Sequence, residues 1–451
     1  MGRPERPLEE IDNPVVAFAR DLRTLRASAG NPSYRELART ALFAPSVLSA
    51  AASGRRLPTL PVTLAFVTAC GGNPAEWETR WRTVTSDATA VEQVRPGSRA
   101  PAAFARPAQL PIGSMTFVGR AQALADAARV VGQAERVNVP LVIGGPIGAG
   151  KTSFALRLAD EVAEAFPDGQ LYADLGAATP LGTGPGPHRA EHAAVSIAHG
   201  FLRALGVPAA IIPDDPMQRL GLYRSMLSRR RVFVLLDDVQ DEAQVRPLLG
   251  RALQSLVVVT SRARLLGLDS MHHITLGAFT RDESLALLAE VIGAARIEAE
   301  YEAADMLAAL CGDLPLAVNV IGRLIAARPE WAIAHAAGLL SDEERLMSYL
   351  TVGDVSVREH FDAACRRLTP AARVALSHLG ARHSRWTTPL GLAGETGLSA
   401  DAADRALENL VNTGLLTRAT LAGRYCVSAI VSAYAASLHR DNDSYDLARA
   451  S

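Results

Sequence analysis

The sequence predicts a multidomain α/β plus all-α chain, with a parallel-sheet domain set between helical segments. Three observations predict it. Gly145-Pro146-Ile147-Gly148-Ala149-Gly150-Lys151-Thr152 spells G-x-x-x-x-G-K-T, the pattern of a phosphate loop. Five apolar, β-rich runs alternate with helical patterns around it: Leu141–Ile143, Leu171–Asp174, Val232–Leu236, Leu256–Thr260 and His273–Leu276. That alternation is the mark of βαβ units and a parallel sheet. On both sides of this region the patterning turns helical.

The elements follow in order. Residues 13–84 read as short helices closely joined, with nine Arg against four acidic residues. Phe18–Arg26 makes an amphipathic first helix. Ser33 and Glu36 stand at the spacing of a capping box, opening a second helix, and Ser46–Ser53 gives a third. Trp77 and Trp81, four apart, read as core. Residues 85–112, rich in Pro, Ala, Gly and Ser, read as a flexible linker. The parallel-sheet domain occupies 113–279. A helical domain, 280–350, opens on a second capping box, Thr280 to Glu283. Residues 351–440 read as helices, a glycine-containing hairpin near Arg418–Val427 and a last helix, and 441–451 as a polar tail.

Composition narrows the classes. The 451 residues are 49% apolar with a net charge of -1, a soluble globular balance with material for several cores. No chain-wide basic excess advertises nucleic acid. Met1–Pro14 is charged and polar, unlike a signal peptide, and no apolar run approaches a membrane span. A cytoplasmic chain with no membrane partner is expected. Cys70, Cys311, Cys365 and Cys426 are too widely spaced for a zinc pattern and are expected as buried thiols.

The chemistry concentrates on one residue. Lys151 is the only lysine among 46 Lys and Arg, so arginine supplies every other fixed cation. A flexible ammonium reaches the β/γ oxygens of a bound triphosphate, where a planar guanidinium is too bulky. Two glycines at the required offsets from one lysine are roughly a one-in-200 coincidence, which disfavours an ordinary Gly-rich turn. The backbone from Gly145 through Gly148, Ala149, Gly150, Lys151, Thr152 and Ser153 is therefore expected to cradle phosphates, as ATP or ADP with Mg²⁺. Val232–Asp238 is an apolar strand ending in two carboxylates. Asp237 is expected to hold the metal with Thr152, and Asp238 to orient an attacking water. Arg262, after the strand Val257–Ser261, is placed to touch a γ-phosphate.

These motifs, taken with Thr116–Arg120, Phe166–Tyr172, Thr260-Ser261-Arg262 and Cys311–Ala317, occur in the order found in NB-ARC ATPases. Over about 113–437 the chain resembles these STAND-class switches, and in particular actinobacterial regulators with an N-terminal helix-turn-helix. The resemblance implies a nucleotide-binding domain, a helical ARC domain whose Pro315 packs on adenine, and a winged-helix domain closing over ADP. Phe117, Val118, Gly119 and Arg120 would line the base and ribose. It also implies slow ATP hydrolysis as a switch and self-association in the ATP state. Where the family carries His-Asp on the β-phosphate, this chain has Ser428-Ala429, so Ser428 is left to give one neutral hydrogen bond. Tetratricopeptide or propeller sensor repeats are not expected here, and input is expected from a separate sensor or effector protein, from nucleotide level or from oligomerisation.

Residues 13–84 resemble an Xre-type helix-turn-helix, which implies DNA as a partner. Arg35, Arg39, Arg55 and Arg56 suit phosphates, while Ser46 and Ser49 on the presumed recognition helix offer only weak base contacts. Leu42 stands where the turn usually carries Gly. A protein-recruiting module of a signalling or defence ATPase is the alternative for the same helices.

Overall fold

The computed structural model describes residues 14–91, 106–133, 139–176, 187–250, 254–268 and 271–438, except positions 42, 44, 55, 56, 114, 115, 354, 383, 384 and 420–422. The chain divides into two compact units, Met1–Ala102 and Ala103–Ser451.

The described residues of the first unit form five helices: α1 (Pro14–Ser28), α2 (Tyr34–Ala41), α3 (Pro45–Ala51), α4 (Leu60–Ala69) and α5 (Pro74–Val91). Phe18, Leu22, Leu37, Leu48, Phe66 and Trp77 form its core. The expected capping box opens α2, with the Ser33 N–H donating to Glu36 at 2.7 Å and the Glu36 N–H to the Ser33 hydroxyl at 3.3 Å. Both tryptophans serve packing: Trp77 meets Phe18 edge-on at 5.4 Å, and the Trp81 indole donates to the Pro58 carbonyl at 2.7 Å. Two boundaries need correction. The last helix runs to Val91, past the expected limit at 84, and α3 ends at Ala51, short of Ser53, with the Ala52 carbonyl accepting from Arg23 Nε at 2.7 Å. Leu42, Arg55 and Arg56 lie outside the described residues.

The second unit begins with α6 (Ala121–Gln133), β1 (Leu141–Gly144), α7 (Lys151–Glu161), β2 (Gln170–Asp174), α8 (Pro187–Ala204), α9 (Pro216–Leu227), β3 (Phe233–Val239), α10 (Glu242–Val245), β4 (Leu256–Ser261) and β5 (His272–Thr275). The five strands make one sheet in the order β2-β3-β4-β1-β5, every pair parallel. Side chains alternate across it. Leu141, Ile143, Phe233, Leu235, Leu256 and Val258 pack with Phe154 and Leu158 of α7 on one face. Val142, Val234, Leu236, Val257 and Val259 pack with α8 and α9 on the other. A sheet covered on both faces explains the continuous apolar runs in the sequence. The 85–112 linker needs a correction too: Pro107 and Gln109 extend the sheet beside β2, with Gln170 N–H donating to Pro107 O at 2.6 Å and Gln109 N–H to Gln170 O at 3.1 Å. Pairing here covers an otherwise open edge strand.

A helical layer follows: α11 (Arg281–Ile292), α12 (Ala294–Ala299), α13 (Tyr301–Leu310), α14 (Pro315–Ala326), α15 (Ile333–Leu340) and α16 (Glu343–Tyr349). The Thr280–Glu283 capping box is formed at the start of α11. The remainder comprises a β6 (Thr351–Val352) and β7 (Val355–Ser356) hairpin, α17 (Val357–Cys365), α18 (Pro370–Arg382), β8 (Trp386–Thr387), α19 (Pro389–Thr396), α20 (Ala400–Asn412), β9 (Thr417–Arg418), β10 (Tyr425–Cys426) and α21 over 429–438. Its three-stranded antiparallel sheet runs β8-β10-β9. One continuous apolar core joins the α11–α16 layer to this last part, and Ile147 of the phosphate loop belongs to it. Of the four thiols, Cys70 and Cys311 are buried, whereas Cys365 and Cys426 are only half-buried. Among the described residues no helix is long and apolar enough to cross a membrane.

Candidate nucleotide site

The phosphate loop leaves the carboxyl end of β1 and enters α7 at Lys151. Its backbone cannot carry side chains where the glycines stand. A Cβ at Gly145 would lie 2.3 Å from the Leu276 carbonyl oxygen, and one at Gly148 would lie 2.9 Å from Leu314 Cδ2, on a backbone with φ of 74°. The free N–H groups of the first turn of α7 and the positive end of its dipole face the loop's concavity, a ready anion site. Lys151 is 9% exposed, and its Nζ donates to the carbonyls of Gly145 at 3.0 Å and Pro146 at 2.8 Å. Burial, and then the charge of Arg262, bring its ammonium down to about 8, against the pull of Asp238 and Asp237.

Two strands away from β1, β3 delivers the carboxylates. Asp237 is 7% exposed and accepts from Thr152 Oγ1 at 2.9 Å, from Thr260 Oγ1, and from the Tyr172 hydroxyl at 3.4 Å. Burial nonetheless pushes its carboxyl above the ordinary value, with Asp174 and Asp238 adding to the rise and the two threonine bonds opposing it. Thr260 links the pair, since its hydroxyl also accepts the Asp238 N–H at 3.0 Å. Asp238 has a φ of 49°, a left-handed conformation uncommon outside glycine. Its carboxylate meets Arg262 Nε at 3.2 Å. The structure thus brings Lys151, Thr152, Asp237, Asp238 and Arg262 together at one sheet edge.

The hydroxyl of Thr152 and the carboxylate of Asp237 suit Mg²⁺, a hard cation that binds oxygen. Among the described residues no three metal-binding side chains converge to cage an ion.

From this edge a cleft of about 570 Å³ extends under the helical layer. Gly148 to Phe154, Asp174, Asp237, Asp238, Thr260 and Arg262 line its polar end. Phe117, Val118, Phe279, Leu287, Pro315 and Leu316 give apolar walls, and Arg120, Asn319, Arg323 and His360 complete it. Gly119 is not among the lining residues; its left-handed φ of 75° lets the chain turn over Glu283. Arg120 lies across the Phe279 ring at 4.8 Å, and its buried Nε has no partner. Burial lowers its guanidinium, with Glu283 opposing.

The loop is also held from two sides. The Leu316 N–H at the start of α14 donates to the Gly148 carbonyl at 3.1 Å, and the Ile147 N–H donates to the Gly414 carbonyl, between α20 and β9, at 3.1 Å. Beside this contact a cavity of about 10 Å³ separates Asp238 and Arg262 from Arg367, Asn412 and Thr413. Arg367 is lowered by burial, with Asp238 pulling the other way.

Ser428 stands before α21 and is not among the residues lining the cleft; its hydroxyl accepts from the Val431 N–H at 3.3 Å as a helix cap. The C-terminal contact to the loop comes from the Gly414 turn instead. In the first unit Arg39 and Ser49 are exposed, Arg35 lies on α2, and Ser46 lies on α3. Several cleft residues escaped the sequence reading. Asn319 and Arg323 follow Pro315 at i+4 and i+8, a spacing that puts all three on one face of α14, so that signal was present. Asp174, the last residue of β2, was equally visible as a strand-end carboxylate. Nothing local marked His360 or Gly414, which reach the site through tertiary packing.

No family model matches the chain. It is similar to the regulatory protein AfsR of Streptomyces coelicolor (35% identical over 368 residues, 80% of this chain and 36% of that protein) and of Streptomyces griseus (36% over 331 residues, 73% and 33%). The chain spans about a third of the length of these curated relatives. Among solved structures it is similar to a Walker-type ATPase of Pyrococcus abyssi (12% identity, TM-score 0.49, 74% of this chain and 99% of that one). A second is a STAND protein with a tetratricopeptide repeat sensor from Pyrococcus horikoshii (18% identity, TM-score 0.33, 73% and 44%).

Proposed function

We propose that this chain is a nucleotide-gated regulator of the NB-ARC/STAND type, which binds ATP or ADP with Mg²⁺ and passes its state to an N-terminal DNA-binding module. The observation that carries the reading is one cleft in which a buried lone lysine, a threonine–aspartate pair and a strand-end arginine meet apolar walls sized for a base and ribose. The similarity to AfsR regulatory proteins supports a role in regulation.

Each side chain takes a part. Lys151 exchanges the Gly145 and Pro146 carbonyls for phosphate oxygens, and the α7 N-terminus receives the rest of the anion. Thr152 and Asp237 would hold Mg²⁺, which when bound would neutralise phosphate charge. Phe117, Val118, Pro315 and Arg120 enclose the base and ribose. Asp238 and Arg262 pair with each other in this arrangement, so orienting water and contacting a γ-phosphate both require the pair to part. Hydrolysis is then slow and acts as a timer. The 351–438 segment serves as the winged-helix domain of a closed state, docked through Gly414. The ATP state releases it, permits self-association and raises DNA affinity by avidity.

The N-terminal helices act through phosphates more than bases, because α3 exposes Val47 and Ser49 and offers no arginine, lysine, asparagine or glutamine. That same bare face favours the second reading, a module that recruits a protein. Capture of genomic DNA by the full chain, with ATP and with ADP, separates the two. Nucleotide-dependent enrichment of DNA supports the regulator; no binding at low salt with either nucleotide transfers the role to a protein partner.

A further inference from the structure

We infer that His360, on α17, is the group through which the last part of the chain contacts the nucleoside of a bound nucleotide, its Nε2 accepting a hydrogen bond from a donor on the base or the ribose. The inference rests on the nucleotide reading of the same cleft and adds a residue to it from a different element.

The start of α17 is held firmly. β6 packs against α14 and pairs antiparallel with β7, Thr351 opposite Ser356 and Val352 opposite Val355. The Val357 N–H then donates to the Leu350 carbonyl at 2.9 Å. The Ser356 hydroxyl caps the helix, accepting from the Glu359 N–H at 3.3 Å and from Thr351 Oγ1 at 3.0 Å. Val357, Phe361 and Ala364 anchor α17 in the apolar core. His360 lies at the border of that buried face, itself exposed, and lines the cleft together with Val355 of β7. Asn319 and Arg323 reach the same cleft from α14.

One ring nitrogen is already committed. Nδ1 of His360 lies 2.6 Å from the Ser356 carbonyl oxygen. A carbonyl only accepts, so Nδ1 carries the proton of the neutral ring, and Nε2 is left bare as an acceptor. The ligand's chemistry then selects the partner. Phosphate oxygens of a Mg-nucleotide accept and do not donate, and a bare nitrogen repels them; their end of the cleft has its own cations in Lys151 and Arg262. The donors of a nucleotide sit on its nucleoside, as the exocyclic amine of adenine and the ribose hydroxyls. Because His360 belongs to α17 and the phosphate loop to the sheet domain, one hydrogen bond ties the two parts together through the ligand.

The test is calorimetry of the full chain in excess MgCl₂ with ADP, inosine diphosphate, 2′-deoxy-ADP and 3′-deoxy-ADP. His360→Asn keeps an N–H near Nδ1 for the Ser356 carbonyl and withdraws the outer acceptor; ADP should bind about threefold to tenfold more weakly. His360→Gln places an oxygen near the position of Nε2 and should recover part of that loss. A role through Ser356 alone predicts the opposite order, with Asn the better substitute, and that order would overturn the inference. The loss in His360→Asn should shrink for one analogue: inosine diphosphate if the donor is the amine, a deoxy analogue if it is the ribose. An equal loss with all four ligands would place His360 on the phosphates or in the fold and overturn the inference, as would no loss at all. A wild-type chain that binds none of the four overturns the nucleotide reading itself, and this inference with it.

Discussion

Gly414 is the position where a single methyl group should undo the hold on the phosphate loop. Its φ is 79°, and an added Cβ would lie 3.0 Å from Ile147 N, 3.2 Å from Ile147 Cγ1 and 3.3 Å from Arg262 Cβ. Two costs separate here. A non-glycine residue in the left-handed conformation costs about 1–2 kcal/mol wherever the turn is folded. Crowding of Ile147 and loss of its 3.1 Å hydrogen bond add about 0.5–1.5 kcal/mol, and only while the turn is docked on the loop. Gly397 supplies the control: its φ is 72° and a Cβ there meets nothing within 4 Å. Gly397→Ala should therefore pay the first cost alone. Gly414→Ala should lose about 1 kcal/mol more in urea titrations. The amide of Ile147 should also exchange with deuterium about 5- to 10-fold faster. Equal losses in the two variants, with Ile147 still protected, would refute the claim that the Gly414 turn restrains the loop.

Other outcomes follow from the same geometry. Lys151 at about 8 lies below its ordinary 10.5, so between those values the unfolded chain binds more protons and stability rises with pH; Lys151→Met should abolish a gain of up to about 3 kcal/mol, read from urea midpoints across that window. Ser428→Ala should cost about 1 kcal/mol of thermal stability through loss of the α21 cap, with ADP affinity measured by calorimetry unchanged. Replacing Arg55 and Arg56 by Ala should weaken binding to all DNA sequences alike and flatten the salt dependence by roughly two units of slope; altered sequence preference at constant slope would mean that they read bases.

Much of this architecture was legible because its signals are local. The phosphate loop is a fixed spacing, and the five strands are apolar runs whose alternation survives burial on both faces, as Val142 and Ile143 show by pointing to opposite cores. Both capping boxes are four-residue patterns. Asp237 and Arg262 were legible as strand ends. The rest depends on which distant segments meet. Glu283 caps its own helix, as the pattern says, but it also accepts the Arg120 N–H at 2.6 Å, and only the fold brings those residues together. Pro107–Gln109 looked like linker because Pro and Ala carry no strand signal, yet backbone groups alone suffice to pair with an open edge. The helix-cap role of Ser428 depends on where α21 begins, and its place along the chain did not reveal that.

The central claim is that Lys151 makes this cleft a nucleotide site, and thermal unfolding of the wild type and of Lys151→Ala, each with and without Mg-ATP, tests it most directly. At about 100 times its dissociation constant, nucleotide should stabilise the wild type by about 2.7 kcal/mol and leave the variant's melting temperature unmoved. An equal shift in both proteins, or none in the wild type, would contradict the account.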